Sequence, residues 1–167
     1  MRYATLEQCL IHLEQHGHLI RIKEEVDPYL EMAAIHLRVF EKNGPALLFE
    51  NVKGSKYRAA SNIFGSIERS KFIFQDTFKL VQDLIELKNN PIKAFKQPFK
   101  NIKTSLAALH ALPLKNPFQK PILYEEIKIT DLPLIHHWKK DGGAFVTLPQ
   151  VYTEDIEKPG VLHSNLG

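Results

Sequence analysis

The sequence predicts an α/β fold whose helices and strands alternate along the first two-thirds of the chain. Helical patterns recur near residues 5–17, 29–42 and 77–88, and short apolar strand patterns lie between them. Capping residues and glycine or proline breaks separate these segments. With 167 residues, the chain can form one full domain, or one domain and part of another. We predict an N-terminal α/β layer domain at residues 1–112, followed by a second unit.

Composition excludes several classes of protein. The chain is 44% hydrophobic and 25% charged, as is usual for a globular protein. Its single cysteine, Cys9, excludes an internal disulfide and fits a reducing compartment. We see no secretory leader and no long apolar run, so we expect a cytoplasmic protein. A net charge of +3 does not indicate nucleic-acid binding.

The first helix is predicted by a capping box. Thr5 and Gln8 have the spacing of a cap and its reciprocal partner, and Gly17 is placed to end the helix. The apolar residues between them share one face: Leu6, Cys9, Leu10 and Leu13. A short strand is predicted next, at residues 19–22.

Asp27 and Pro28 predict the start of a second helix, because an acceptor side chain at the cap and a proline after it suit a helix N-terminus. The apolar face of this helix, at residues 29–42, contains Met32, Ile35 and Val39. A continuous apolar run at residues 46–49 predicts a buried strand. A turn at residues 52–55 and a strand at residues 58–63 follow. Ser66 is then the predicted cap of a further helix.

A connector is predicted between the last of these helices, at residues 77–88, and the second unit. Residues 91–121 are rich in lysine and proline, with one short helical pattern at residues 105–112. Four lysines recur at helical spacing, namely Lys93, Lys96, Lys100 and Lys103. We interpret this stripe as a solvated face, while contact with phosphate or an anionic membrane surface remains an alternative. Connector and second unit together form the predicted domain 113–167.

The end of the chain reads as short strands. A strand is predicted at residues 122–129, with a turn at residues 130–133. Two more strands are predicted at residues 145–151 and 163–167. The polar connection at residues 154–160, which contains Pro159 and Gly160, predicts a hairpin or a strand-to-strand loop between them. The closing strand has no evident partner in the sequence. We therefore expect a domain that is interrupted, with an unpaired edge open to other strands.

Two groups of histidines are candidate site residues. His12 and His16 have the i, i+4 spacing of a helical zinc site, with His18 nearby, but no pattern supplies the remaining ligands. We therefore predict solvent-exposed histidines. His136 and His137 are adjacent, and neighbours on a strand point to opposite faces, so one site does not easily take both.

The segment GGAFVTLPQVYTED followed by SNLG resembles the UbiD family of decarboxylases, as do VDPYLEM and GPALLFENVKG nearer the start. In that family an asparagine helps to hold a divalent metal against the flavin phosphate, and Asn165 matches it. The resemblance also implies cofactor contacts at Thr147 and Ser164. The family's Tyr-Arg pair would begin just past Gly167.

The resemblance implies a flavin-reductase-like split β-barrel that binds prenylated FMN and Mn²⁺, with K⁺ as a further possible ion. It implies decarboxylation of an aromatic or unsaturated carboxylic acid such as polyprenyl-hydroxybenzoate, in ubiquinone or menaquinone biosynthesis. We expect a homo-oligomer that can touch the inner membrane through a lipid-like substrate. The family's catalytic Arg and carboxylates match no residue here, so we expect no catalytic residue and no activity of this chain alone. The alternative is a non-catalytic binding module that uses the basic connector and an open sheet edge.

Overall fold

A computed structural model of the chain describes residues 3–89, 126–145 and 151–167. The mixed α/β class predicted from the sequence is confirmed. The helices and strands, in chain order, are α1 (Leu6–Gln15), β1 (Leu19–Val26), α2 (Glu31–Glu41), β2 (Ala46–Val52), β3 (Ala59–Ser61), α3 (Ile67–Ile73), α4 (Gln75–Asn89), β4 (Tyr152–Glu154) and β5 (Ser164–Leu166). Described residues 3–74 and 126–145 form one compact unit, and residues 75–89 and 151–167 belong to a second.

The first unit is built on a three-stranded sheet with β2 at its centre. β1 and β2 run parallel with α2 as the crossover between them, whereas β3 pairs antiparallel to β2. The buried strand predicted at residues 46–49 is confirmed and continues to Val52. β1 is longer than predicted, because it continues past a register shift between Ile22 and Glu25.

Two apolar clusters cover the two faces of this sheet. Leu48 packs in a cluster with α1, whose Cys9, Leu10 and Leu13 are buried there. Leu47 packs in a cluster with Met32 of α2, and Phe49, Val26 and Val52 complete it. Consecutive strand residues point to opposite faces, so β2 serves both clusters at once. The expected apolar face of α1 is confirmed apart from Leu6, which is 59% exposed.

The ends of α1 follow from local sequence, as predicted. The hydroxyl of Thr5 accepts a hydrogen bond from the amide of Gln8 at 3.3 Å, and the Gln8 side chain accepts from the amide of Ala4 at 2.9 Å. At the other end, Gly17 has φ of 73° and its amide donates to the carbonyl of Glu14. A left-handed glycine satisfies the last carbonyls of a helix in this way.

The predicted start of the second helix is wrong. Asp27 accepts from the amide of Tyr29 at 2.8 Å in a tight turn, and α2 begins only at Glu31, after Leu30 with φ of 67°. The cause is a tertiary contact, because the segment around His136 pairs with the backbone just before α2. The amide of His136 donates to the carbonyl of Pro28, and its carbonyl accepts from the amide of Leu30, both at 3.1 Å.

A buried arginine fixes the turn between β3 and α3. Arg69 is 3% exposed, and its guanidinium donates to the carbonyls of Ile63, Gly44 and Asn62 at 2.6–3.1 Å. Asn62 adopts φ of 58° and is buried beside it. A Cβ at Gly65 would lie 1.7 Å from the Asn62 Oδ1, so a side chain has no room at that position. The predicted cap of α3 is confirmed at Ser66, whose hydroxyl accepts from the amide of Arg69.

Residues 126–145 belong to the first unit, and their structure differs from the strand that the sequence predicted. The strand expected at residues 122–129 lies partly outside the described residues, and its described end is irregular and enters a 3₁₀ turn, Ile129–Asp131. The Ser55 hydroxyl donates to the carbonyl of Asp131 at 2.7 Å. Tyr29 and His136 form a single β-bridge, as do Ile135 and Phe145.

Of the remaining predicted helices and strands, some are confirmed and others lie outside the described residues. The helix expected at residues 77–88 is confirmed as α4. The connector with its lysine stripe, and the short helix at residues 105–112, lie outside the described residues. The strand predicted at residues 58–63 is confirmed over a shorter range, as β3. Among the described residues, no helix is long and apolar enough to cross a membrane.

Candidate functional site

The end of the chain forms an antiparallel hairpin of β4 and β5. Tyr152 lies opposite Leu166, Thr153 opposite Asn165, and Glu154 opposite Ser164. Val151 and Gly167 extend the ladder, with reciprocal amide-to-carbonyl bonds of 2.7 and 3.0 Å. The hairpin predicted from the polar connection at residues 154–160 is confirmed, whereas the expectation that the closing strand lacks a partner is wrong. Its partner is β4, which comes immediately after the strand predicted at residues 145–151.

The polar connection between the two strands is ordered by one carboxylate. Asp155 Oδ1 accepts from the amides of Glu157 and Lys158 at 2.7 and 3.1 Å. Its own amide donates to the carbonyl of His163 at 3.0 Å. An aspartate that bonds the backbone two and three residues ahead stabilises a turn without help from the core. This turn returns the chain to Ser164 and Asn165 in register with β4.

Asn165 and Ser164 point to opposite faces of the hairpin, because consecutive strand residues alternate. Asn165 is exposed and shares its face with Thr153. Ser164 is half-buried, and its hydroxyl donates to the carbonyl of Val161 at 2.7 Å. A ligand resting on one face would reach the side chain of only one of these two residues. Thr147, the third predicted cofactor residue, lies outside the described residues.

Asn165 fits the chemistry of one ligand in a larger metal shell. A neutral amide oxygen suits a hard cation such as Mn²⁺ or Mg²⁺ when anionic oxygens complete the shell. The described residues contain no group of three His, Cys, Asp or Glu side chains that could hold a metal. Within this part of the chain, Asn165 is thus one exposed metal donor rather than part of a complete site.

The adjacent histidines of the first unit contact different residues. The ring of His136 packs on Tyr29, with centroids 5.2 Å apart, whereas His137 lies 6.5 Å from the ring of Phe145. The amides of His137 and Trp138 both donate to Asp141 Oδ2. The backbone bonds of His136 explain its position, since it is the residue that pairs with the turn before α2.

A polar pair that the sequence patterns did not indicate joins α2 to β3. His36 Nδ1 hydrogen-bonds the hydroxyl of Ser61, and Phe40 stacks on the same imidazole. Burial lowers the pKa of His36, and the neighbouring His137 lowers it further. The i, i+4 spacing of His36 and Phe40 is a signal in the sequence, but Ser61 is 25 residues away in the chain and carries no local signal.

Two family models match the chain. The 3-octaprenyl-4-hydroxybenzoate carboxy-lyase N-terminal domain matches residues 10–88, and the Rift-related domain of the same enzymes matches residues 112–167. An uncharacterized protein of Chlamydia caviae is 38% identical over 173 residues, which cover 100% of this chain and 29% of that protein. A 4-hydroxybenzoate decarboxylase subunit from Chlamydia pneumoniae is 37% identical over 155 residues, covering 89% of this chain and 25% of that protein.

Solved structures show the same similarity. The vanillic acid decarboxylase of Sedimentibacter hydroxybenzoicus, in its closed form, matches with a TM-score of 0.65 and 26% identity over 94% of this chain and 32% of that one. An evolved dimeric form of the UbiD-class enzyme HmfF from Pelotomaculum thermopropionicum, in complex with prFMN, shares the fold, with a TM-score of 0.62 and 23% identity over 98% of this chain and 34% of that one.

The chain spans about a quarter to a third of the length of the curated relatives it matches. The two family models nevertheless match most of its residues, on either side of the segment 89–111. From the fold, the two matching models and these relatives, the chain belongs to the UbiD family of decarboxylases.

Proposed function

We propose that this chain is the N-terminal portion of a prenylated-FMN-dependent decarboxylase, and that its β4–β5 hairpin forms part of the cofactor site. The observation that carries the proposal is the exposed Asn165 on β5, inside the segment that matches the Rift-related family model. An exposed amide on an ordered strand is available to a ligand without any rearrangement of the core.

The proposed reaction explains why such an enzyme needs a cofactor. Loss of CO₂ from an aromatic or unsaturated acid leaves electron density on carbon, and prenylated FMN, when bound, supplies the electron sink that no side chain provides. The role of this chain is to hold the cofactor. Asn165 would bind Mn²⁺ through its amide oxygen, with K⁺ as a second candidate ion, and Thr147 would contact the cofactor. Because Ser164 points to the opposite face of the hairpin and donates to the carbonyl of Val161, we propose that it contacts the cofactor through its backbone rather than its side chain.

The proposed substrate is a 4-hydroxybenzoate derivative that bears a polyprenyl chain, used in quinone biosynthesis. The names of similar proteins support this choice, because the family models and the relative from Chlamydia pneumoniae both refer to 4-hydroxybenzoate. We further propose a cytoplasmic homo-oligomer that touches the inner membrane through this lipid-like substrate.

The proposed architecture is a first domain at residues 1–112 and a flavin-reductase-like split β-barrel that begins in residues 113–167. The two family models support this boundary, since one ends at residue 88 and the next begins at residue 112. The catalytic Arg and carboxylates implied by the family correspond to no residue of this chain. We therefore expect the 167 residues alone to release no CO₂ from such acids.

Replacing Asn165 by Ala in the full-length parent tests the cofactor proposal. Removing even the outer-shell partner of a metal ligand costs about ten- to a hundredfold in metal affinity or activity, so loss of the ligand should cost at least that much. The flavin should be lost together with the metal. Metal content by mass spectrometry and the flavin absorption spectrum of the purified protein are the two readouts. Asn51→Ala, which removes an exposed asparagine from β2, is the matched control. Unchanged metal and flavin in Asn165→Ala would refute the assignment.

A further inference from the structure

Three histidines surround the ring of Phe72 on α3. His12 stacks on Phe72 with centroids 4.8 Å apart and an angle of 18° between the rings. His16 and His18 approach the same ring at 5.1 and 4.6 Å. His12 lies in the last turn of α1, His16 is its C-cap, and His18 precedes β1. One aromatic side chain of α3 therefore contacts three imidazoles from the start of the chain. We call these four residues the histidine clamp.

Hydrogen bonds hold two of the imidazoles in place. The Tyr3 hydroxyl lies 2.6 Å from His12 Nδ1. His16 Nδ1 lies 2.9 Å from the carbonyl of His12, and because a carbonyl only accepts, this nitrogen must carry a proton. Among the described residues, no group of three His, Cys, Asp or Glu side chains could hold a metal ion. Metal binding therefore does not explain the cluster.

The surroundings of His12 favour its neutral form. Burial lowers its pKa, and His16, the amino terminus and His18 lower it further. Each of these three neighbours is a cation when protonated. Tyr3, which bonds His12 directly, and Cys9, which acts on Tyr3, are also titratable, and both are neutral in the range in which histidine titrates. On the other side of the contact, α3 carries the charged residues Glu68, Arg69 and Lys71.

We propose that the histidine clamp is a pH-sensitive contact, which holds α3 against α1 while His12 is neutral and loosens as His12 takes up a proton. Adjacent imidazolium ions repel one another and lose hydration when they are buried against Phe72. A single imidazolium is attracted by the face of an aromatic ring, but His12 and His16 lie only 4.4 Å apart, so their repulsion opposes that gain once both are charged. The Tyr3 bond can survive by reversal, since a protonated Nδ1 donates to the phenol oxygen.

The direction of the pH effect follows from the lowered pKa. The folded state binds the His12 proton less readily than the unfolded state does, so this contribution to stability is fully present above the ordinary value of 6.5. It declines as the pH falls through that value, and is lost once the pH is below the pKa of the folded state. We therefore expect α3 to open more often in mildly acidic solution.

Amide hydrogen exchange of the 167-residue chain tests this proposal. Protection factors, which correct for the intrinsic pH dependence of exchange, are measured from about pH 7.5 to about pH 5.5. Amides of α3 should lose up to about tenfold in protection for each unit by which folding lowers the pKa of His12. Amides of β2 serve as an internal reference, because that strand is at the centre of the sheet.

Three variants separate the clamp from general acid sensitivity. His12→Gln keeps a polar side chain that does not titrate, and should keep α3 protected at acidic pH. His16→Gln, at an exposed position, is the second choice if His12→Gln does not fold. His163→Gln removes an exposed histidine outside the clamp and should behave like the unsubstituted chain. The proposal is overturned if α3 keeps its protection across the range, or if His12→Gln and His16→Gln lose it as the unsubstituted chain does.

Discussion

The central strand β2 and the closing strand β5 differ in burial, and therefore in how much each contributes to the folding free energy. Both are short and both carry leucine in their ladder. Phe49 of β2 is fully buried in the apolar cluster with α2, while Leu166 of β5 is 64% exposed. Complete burial of such a side chain contributes about 1.5–3 kcal/mol, so β2 contributes strongly to the folding free energy and β5 contributes little. The uncovered strand is correspondingly the one that can offer Asn165 to a ligand.

The largest expected effect compares the two strands directly. Phe49→Ala should lower the free energy of unfolding by about 3–5 kcal/mol, because it leaves a cavity in the cluster with α2. Leu166→Ala should change it by no more than about 0.5 kcal/mol, because its side chain is mostly hydrated already. Urea unfolding followed by circular dichroism measures both. A similar loss in the two variants would show that β5 is buried in solution.

A smaller effect is expected at the buried polar turn that supports β2. Arg69→Met removes the guanidinium donors to the carbonyls of Ile63, Gly44 and Asn62. The Gly44 and Asn62 carbonyls keep bonds from the Asn62 side chain and the Gly65 amide, so we expect a loss of about 1–3 kcal/mol, the cost of one buried acceptor without a partner. Arg58→Met is the control, because its ion pair with Glu7 lies at the surface and such pairs contribute at most about 1 kcal/mol. The same unfolding experiment applies. If Arg58→Met lowered the free energy of unfolding more than Arg69→Met does, the buried turn would not be what stabilises β2.

The smallest effect on stability is expected for charges placed on the hairpin. Ile156 and Leu162 are 98% and 93% exposed, and exposed apolar groups beside a short ladder promote association between chains. The double variant Ile156→Lys/Leu162→Lys should leave unfolding unchanged and reduce self-association of the 167-residue chain severalfold. Sedimentation velocity measures this, with Ile129→Lys, an exposed position of the other unit, as the control. A monomeric unsubstituted chain at every concentration would contradict the prediction.

Features that depend on neighbours in the chain could be predicted from the sequence. The caps at Thr5 and Ser66, the glycine that ends α1 and the continuous apolar run of β2 all appear as predicted. Each rests on contacts within a few residues, or on periodicity, so no distant segment was needed to specify them. The family was likewise predicted from residues that lie together in short motifs.

Features that join distant segments of the chain could not be predicted from the sequence, because they depend on tertiary contacts. α2 begins late because His136, more than a hundred residues away, takes the backbone groups of Pro28 and Leu30. The expected exposure of the first histidines is wrong for His12 and His18, which are half-buried, because Phe72 of α3 covers them. The alternation of faces that separates Ser164 from Asn165 required the register with β4. Long-range pairings of this kind leave no local pattern, since the partner's identity is decided by packing and by backbone groups that every residue carries.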